Sequence, residues 1–168
     1  MHILQLVNIS KDMQRLIAEF ALWDFFAYAA RNGSKDIPLP VVLDEVQNLD
    51  HRSDRAIDKL LREGRKFGVG MILATQTISN FDKEERSRLF QCANKLFFKP
   101  AETERKEFAQ ILADVSPTRS RDEWIVELGK LGKGECWAIG PHRTTDGRPM
   151  RRDPVKVKIA SLEARLLE

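Results

Sequence analysis

Two adjacent carboxylates, Asp44 and Glu45, follow the apolar run at residues 41–43 and are well suited to chemistry. Acidic side chains at the tip of a buried strand are costly unless something charged lies against them. In a nucleotide-hydrolysing enzyme Asp44 would hold Mg²⁺ through water, and Glu45 would polarise the water that attacks the terminal phosphate. The alternative is an edge strand that runs into a solvated loop.

A second polar strand end favours the catalytic interpretation. Thr75 and Gln76 follow the apolar run at residues 69–74, and a predicted helix separates this run from the acidic one. Strands joined in this way run parallel, so their carboxyl ends face the same crevice, where open α/β sheets bind ligands. There an amide such as Gln76 would sense the terminal phosphate. We therefore predict that Asp44, Glu45 and Gln76 converge at one edge of a sheet.

The elements that must position these side chains alternate along the chain. Continuous apolar runs separated by helical segments indicate the α/β class, with a mostly parallel sheet, helices on both faces and a final β-hairpin turning at Asp146-Gly147. Ser10 is expected to cap the first helix, which should be covered on most faces. We expect strands at 2–9, 41–45, 69–75, 94–99, 135–141 and 155–162, helices at 11–31, 50–67, within 77–91 and at 100–112, and a loop at 116–124.

Composition fits a single globular domain over residues 1–168, because 42% of the residues are hydrophobic, 32% are charged and the net charge is +3. Cys92 and Cys136 are too few for a disulfide framework and lack metal-ligand spacing, which suits packing in a reducing compartment. Charges interrupt every apolar stretch well before the length of about 20 residues that a membrane span needs. The first residues lack the pattern of a signal peptide. We expect a cytoplasmic chain that makes no membrane contact.

Several sequence blocks resemble the HerA/FtsK-type translocase ATPases, which are RecA-like P-loop motors that commonly form hexameric rings around duplex DNA. "VVLDEVQNL" and "LLREGRKFGVGMILATQTISNF" are similar to that family's Walker B strand, arginine-bearing helix and sensor strand. "GKGECWAIGP" and "DPVKVKI" are similar to its last strands. The resemblance covers most of residues 1–160. It implies a partial RecA-like fold, ATP and Mg²⁺ as cofactors, double-stranded DNA as partner and a homo-hexameric assembly.

The resemblance also implies roles for individual residues and a biological context for the protein. Asp44 would be the metal ligand, and Glu45 and Gln76 would act on the nucleotide. Among the subfamilies, the resemblance is compatible with the motors of DNA-modification and restriction systems, including phosphorothioation-dependent restriction. Such a placement implies a nuclease partner.

One part of that family's ATP site is missing from the sequence. A glycine-rich loop of the type G-x-x-x-x-G-K-[ST] should hold the phosphates, and no segment matches it. Residues 129–135 contain glycines and lysines, but the run is too short and precedes a strand instead of opening a helix. We therefore expect the chain to be the C-terminal part of a longer motor that keeps the Walker B half. Alone it should hydrolyse ATP negligibly.

Arginines supply further candidates. In the resembling family an arginine of the "REGRKFG" motif acts on the nucleotide's phosphates, a role that suits a planar and permanently charged guanidinium. Arg62 and Arg65 both qualify, since they lie three residues apart, and a solvated helix face with Glu63 as counter-charge is the alternative. His51 lacks a partner at metal-ligand or catalytic spacing and is predicted to be a surface residue.

A basic connection precedes the last strand. It could contact the DNA backbone through phosphates, without reading sequence. A solvated hairpin, or an interface with the missing half, explains it equally well. Its candidate DNA-binding residues are Arg143, Arg148, Arg151 and Arg152.

The leading hypothesis is the C-terminal ATPase subdomain of a HerA/FtsK-like DNA translocase or helicase, acting in DNA processing or restriction defence. The alternative from another class is a non-catalytic module that binds DNA or recruits a nuclease. A third interpretation places "DEVQ" in motif II of the two-lobed helicases, although the sequence shows no second lobe.

Overall fold

The computed structural model of the chain describes residues 2–141 and 153–166. Residues up to Phe90 form one compact unit, and residues from Gln91 form a second. The single domain over residues 1–168 stays a prediction. In the described part of the chain, no helix is both long enough and apolar enough to cross a membrane.

The first unit contains three helices and a pair of parallel strands. Ser10 caps α1 as predicted, because its Oγ accepts a hydrogen bond of 3.3 Å from the Met13 amide. The predicted helix at 50–67 is shorter than expected and is followed by a single 3-10 turn. The elements are α1 (Lys11–Asn32), β1 (Leu39–Leu43), α2 (Ala56–Glu63), the 3-10 turn Gly64–Phe67, β2 (Val69–Leu73) and α3 (Lys83–Leu89).

Glycine allows β2 to begin where it does. Gly68 has a φ of +76°, and a Cβ atom there would lie 2.0 Å from the carbonyl oxygen of Ser34. The Gly68 carbonyl accepts a hydrogen bond of 2.9 Å from the Leu39 amide. The residue thus joins the turn before β2 to the first residue of β1.

Three expectations for the first unit are wrong within the described residues. Residues 2–9 form no strand, and Ile3 is 78% exposed. The helix α1 is not covered on most faces, since Phe20 is 66% exposed. One face of the β1–β2 pair is also uncovered, as Val42 and Ile72 show. A β-prone segment pairs only where a partner strand offers its backbone groups, and none lies beside residues 2–9 in this unit.

The second unit is built on an antiparallel sheet in the order β3-β4-β5. Helices cover one face of it, where Trp124 packs edge-to-face on Trp137 at a centroid distance of 5.0 Å. The predicted loop at 116–124 is confirmed for residues 116–120, but a helix begins at Arg121, where Ser120 and Glu123 form a capping box. The elements are β3 (Lys95–Phe98), α4 (Arg105–Val115), α5 (Arg121–Gly129), β4 (Glu135–Ile139), β5 (Val155–Lys158) and α6 (Leu162–Leu166).

The α/β class predicted from the sequence is confirmed. The described strands divide between a parallel pair and an antiparallel set of three, so the expected mostly parallel sheet appears only in the first unit. The final antiparallel pair, β4 with β5, agrees with the predicted hairpin. Its expected turn at Asp146-Gly147 lies outside the described residues.

Candidate functional site

The carboxyl ends of β1 and β2 lie side by side. Leu43 pairs with Leu73 in the parallel register. The backbone pairing continues beyond the strands, because the Ala74 amide donates to the Leu43 carbonyl at 2.9 Å and the Val46 amide donates to the Ala74 carbonyl at 3.0 Å. The segments that carry Glu45 and Gln76 therefore leave the same edge of the sheet in close contact.

Glu45 is held by two amide side chains at this edge. Gln76 Nε2 donates a hydrogen bond to Glu45 Oε1, and Gln47 Nε2 donates to Glu45 Oε2. The Thr75 hydroxyl lies 2.7 Å from Gln47 Oε1. These four residues, Glu45, Gln47, Thr75 and Gln76, are called the acid–amide cluster below. The structure brings together Glu45 and Gln76 as the sequence predicted, and it adds Gln47, which lies two residues after the acid in "DEVQ" and was missed.

Local backbone geometry turns Glu45 toward Gln76. Glu45 has a φ of 52° and a ψ of 44°, the left-handed conformation that residues other than glycine rarely adopt. This conformation costs about 1–2 kcal/mol. The next residue, Val46, is 1% exposed and anchors the turn in the core. An unfavourable conformation at a candidate catalytic acid is a feature that functional sites often retain.

Asp44 lies beside the cluster and is exposed. Its Oδ1 accepts a hydrogen bond of 3.0 Å from the Glu45 amide. No group of three or more His, Cys, Asp or Glu side chains that could hold a metal occurs in residues 2–141 and 153–166. A Mg²⁺ site does not require such a group, because the ion keeps several bound waters and is held by one or two carboxylates together with the phosphates of the substrate. The hard carboxylate oxygens of Asp44 fit that requirement.

Among the described residues, neither candidate arginine forms a hydrogen bond or ion pair with the acid–amide cluster. Arg62 makes ion pairs with Asp58 at 2.7 Å and Asp54 at 3.1 Å, which fix it against α2. Arg65 lies in the 3-10 turn before β2 and lines a cavity of about 290 Å³ together with Lys35. That cavity lies at the amino ends of the strands, whereas Glu45 and Gln76 follow their carboxyl ends. The candidate DNA-binding residues Arg143, Arg148, Arg151 and Arg152 lie outside the described residues.

The prediction that His51 is a surface residue without a partner is wrong. Its Nε2 lies 3.2 Å from Glu85 Oε2, and the side chains of these two residues are 14% and 11% exposed. Its ring also contacts Phe81 edge-to-face, with centroids 4.7 Å apart. Both partners are thirty or more positions away in sequence, so no local pattern points to them.

Asp50 provides a pH-dependent contribution to the stability of the first unit. The Arg52 side chain donates hydrogen bonds of 2.9 and 2.6 Å to its two carboxylate oxygens. This pairing lowers the pKa of Asp50 from 3.8 to about 2. A lowered pKa in the folded state means that the contribution is present above about pH 4 and disappears as the pH falls toward 2.

We expect Asp50→Asn to remove this part of the pH dependence. Urea unfolding of both proteins between pH 6 and pH 2 would measure it, as the difference between their free energies of unfolding. The difference should narrow as the pH falls below about 4, because protonated Asp50 no longer pairs with Arg52. A constant difference over the whole range would contradict the assignment.

Comparison with known proteins gives a consistent family. The sequence profile of the family described as the type IV secretion-system coupling protein DNA-binding domain matches residues 8–121. The DNA double-strand break repair helicase HerA of Sulfurisphaera tokodaii is 32% identical over 135 residues, which cover 77% of this chain and 24% of that protein. HerA of Saccharolobus solfataricus is 27% identical over 143 residues, which cover 82% of this chain and 26% of that protein.

A probable helicase of Methanocaldococcus jannaschii is 29% identical over 109 residues, which cover 62% of this chain and 20% of that protein. The chain thus spans between a fifth and about a quarter of the length of these curated relatives. The profile match takes in more than half of the chain, including the whole acid–amide cluster. The chain therefore belongs to the family of the type IV secretion-system coupling protein DNA-binding domain, and HerA helicases are among its relatives.

Proposed function

We propose that this chain is the part of a HerA/FtsK-like DNA translocase ATPase that supplies the catalytic acid and the phosphate-sensing amide. The observation that carries the proposal is the acid–amide cluster, in which Glu45 and Gln76 touch at the carboxyl edge of parallel strands. The family match and the helicase names of the relatives support a DNA-dependent motor. A partial RecA-like fold with Walker B on β1 is part of the proposal.

The roles of the cluster follow from its hydrogen bonds. In the structure each carboxylate oxygen of Glu45 accepts a hydrogen bond from an amide, which stabilises the ionised carboxylate and makes it a weaker base toward water. If Gln76 turns toward the terminal phosphate of ATP, Glu45 Oε1 is released and can act as the general base. Gln47 keeps the other oxygen oriented. The amide of Gln76 would thereby make Glu45 a stronger base when the phosphate is present.

Asp44 would hold Mg²⁺ through water beside the phosphates of ATP. Bound Mg²⁺ supplies neutralisation of the charge that develops on the transferred phosphoryl group. The Glu45 amide orients the exposed carboxylate of Asp44. This carboxylate would accept hydrogen bonds from water molecules bound to the ion. The chain has no G-x-x-x-x-G-K-[ST] loop, so a further segment must bind the phosphates.

Arg65 is better placed than Arg62 to act on a phosphate. Arg62 is engaged by the buried Asp58, whereas Arg65 is exposed beside an open cavity. The five residues of β2 span about 17 Å, so Arg65 lies a strand length from the acid–amide cluster of its own chain. A neighbouring copy in a ring would have to bring it to a nucleotide. We accordingly extend the proposal to a hexamer around double-stranded DNA, acting in DNA processing or restriction defence beside a nuclease.

Hydrolysis measurements test the proposal. A longer protein that contains this chain and a phosphate-binding loop should hydrolyse ATP with Mg²⁺, and double-stranded DNA should increase the rate. The 168-residue chain alone should show negligible turnover. Robust Mg²⁺-dependent turnover by the chain alone, abolished by Glu45→Gln, would contradict the requirement for a separate phosphate-binding segment.

The basic connection is proposed to bind DNA phosphates. Reversing the charge of Arg151 and Arg152 together should make the slope of log affinity against log salt less steep by about 1.8, if each contacts one phosphate. Binding of a labelled duplex over a range of salt concentrations measures the slope. Reversal of two exposed lysines elsewhere, Lys106 and Lys133, is the matched control. Equal effects of both pairs would contradict a specific DNA contact at the connection.

A further inference from the structure

The loops that carry Glu45 and Gln76 meet a second time, away from the acid–amide cluster. The first loop continues from Glu45 through Leu49 to His51, and the second continues from Gln76 to Phe81 and into α3. The His51 ring packs edge-to-face on Phe81, whose exposed fraction is only 3%. The two loops are therefore in contact both at the cluster and at His51.

Both ring nitrogens of His51 face oxygen acceptors. Nδ1 lies 3.0 Å from the Leu49 carbonyl oxygen, within its own loop. Nε2 lies 3.2 Å from Glu85 Oε2, on α3. Because carbonyl and carboxylate oxygens only accept, the ring can donate a hydrogen bond toward either of them. A hydrogen bond to an ionised carboxylate that is largely shielded from water is stronger than a hydrogen bond between neutral groups.

Glu85 is itself fixed in place. Its Oε2 accepts a hydrogen bond of 2.9 Å from the Asp82 amide, and Asp82 Oδ1 accepts one of 2.8 Å from the Glu85 amide. This capping box starts α3 and makes Glu85 part of a rigid helix end. His51 is thus attached to the helix that directly follows the loop of Gln76.

Arg88 extends the connection to α2. Its Nη2 lies 3.5 Å from the His51 carbonyl oxygen, and its Nε lies 3.7 Å from Asp58 Oδ1. Asp58 lies in α2 and is 2% exposed. Two residues of α3 therefore hold the neighbouring elements. Glu85 contacts the ring of His51, and Arg88 contacts both the His51 carbonyl and the buried Asp58 of α2.

We propose that His51, Phe81 and Glu85 form a latch that positions the loops of Glu45 and Gln76 and couples a movement of Gln76 to α3. The roles given to Glu45 and Gln76 rest on the proposed function. His51 touches neither of them, so it is a positioning residue. When Gln76 leaves Glu45, the latch still ties the two loops together with the Thr75–Gln47 hydrogen bond, and it passes the displacement to α3 through Phe81 and Glu85.

Amide hydrogen exchange of the 168-residue chain tests the latch directly. His51→Ala should raise exchange about tenfold in both loops, at the Leu49 and Phe81 amides, because a partly buried charged hydrogen bond is lost. Exchange of the Leu60 amide in α2 reports general stability and should change less. Acceleration confined to the His51 loop, or equal at all three amides, would overturn the proposal.

A conservative substitution keeps the test decisive if His51→Ala does not fold. Glu85→Gln retains a residue that completes the capping box but removes the charge that His51 faces. It should accelerate exchange in both loops, and the double variant His51→Ala, Glu85→Gln should add little to either single variant. Glu84→Gln is the control on the same helix, since Glu84 is 86% exposed and pairs with Arg88 only at 3.8 Å, and its effect should be much smaller. Additive effects of the two latch substitutions would contradict the coupling.

Catalysis gives a separate result. In the longer ATP-hydrolysing protein, Glu85→Gln should lower kcat about tenfold and leave KM unchanged, because the latch aligns the base and does not bind ATP. An equal rise in KM would contradict a positioning role. If the longer protein shows no ATP hydrolysis at all, the proposed function fails, whereas the exchange measurement still decides whether the latch exists.

Discussion

Glu45→Gln should lower kcat for ATP hydrolysis by about 10²- to 10⁴-fold in the longer motor, because an amide cannot accept the proton of the attacking water. The substitution preserves the size of the side chain and its place beside Gln47 and Gln76. Steady-state hydrolysis at saturating double-stranded DNA and Mg²⁺ measures the effect. ATP binding should be retained, because the proposed function assigns the phosphates to another segment.

Two outcomes would separate the competing functions. If the variant binds ATP and DNA but hydrolyses ATP at the wild-type rate, Glu45 is not the base. If the wild-type protein binds DNA without hydrolysing ATP, and Glu45→Gln leaves its biological activity intact, the non-catalytic module is correct. Asp44→Asn adds an independent comparison, because it should raise the Mg²⁺ concentration needed for half-maximal rate.

Asp58→Ala should destabilise the first unit by about 3 kcal/mol, because it leaves the largely buried Arg88 guanidinium and the Asp54 amide without the carboxylate that they face. Asp58 is 2% exposed, pairs with Arg62 at 2.7 Å and accepts a hydrogen bond of 3.0 Å from the Asp54 amide. Urea unfolding followed by circular dichroism would measure the free energy of unfolding.

Asp54→Asn is the control for this prediction, because asparagine tolerates the φ of 61° that residue 54 adopts. Asp54 also pairs with Arg62, at 3.1 Å, but its side chain is 86% exposed. Exposed ion pairs contribute about 0–1 kcal/mol, so the loss should be small. Equal decreases in the free energy of unfolding for the two variants would contradict the prediction. They would show that the ion pair with Arg62, and not the burial of Asp58, determines the stability.

The sequence predicted the fold correctly where a feature depends only on residues that are near one another in the chain. The apolar runs of β1 and β2 with a helix between them were sufficient to place Glu45 and Gln76 at one sheet edge, since that arrangement depends only on the handedness and direction of a single strand-helix-strand unit. Ser10 was found for the same reason, because a cap is specified by its own turn.

The failures concern contacts that are distant in sequence. A strand was predicted at residues 2–9 because its residues favour strands, but pairing depends on a neighbour that composition does not reveal. The partners of His51 were missed because Phe81 and Glu85 reach it only through tertiary packing. The start of α5 was missed although its capping box was visible in the sequence, so that error was avoidable.

Gly68 has a consequence for how relatives of this chain can diverge. A methyl group at position 68 would lie 2.0 Å from the Ser34 carbonyl oxygen, whereas one at Gly70 would meet no atom within 4 Å. We therefore expect position 68 to remain glycine across the family, whereas position 70 should tolerate alanine. The junction of the two strands would then be inherited with little change, while the outer side of β2 varies among descendants.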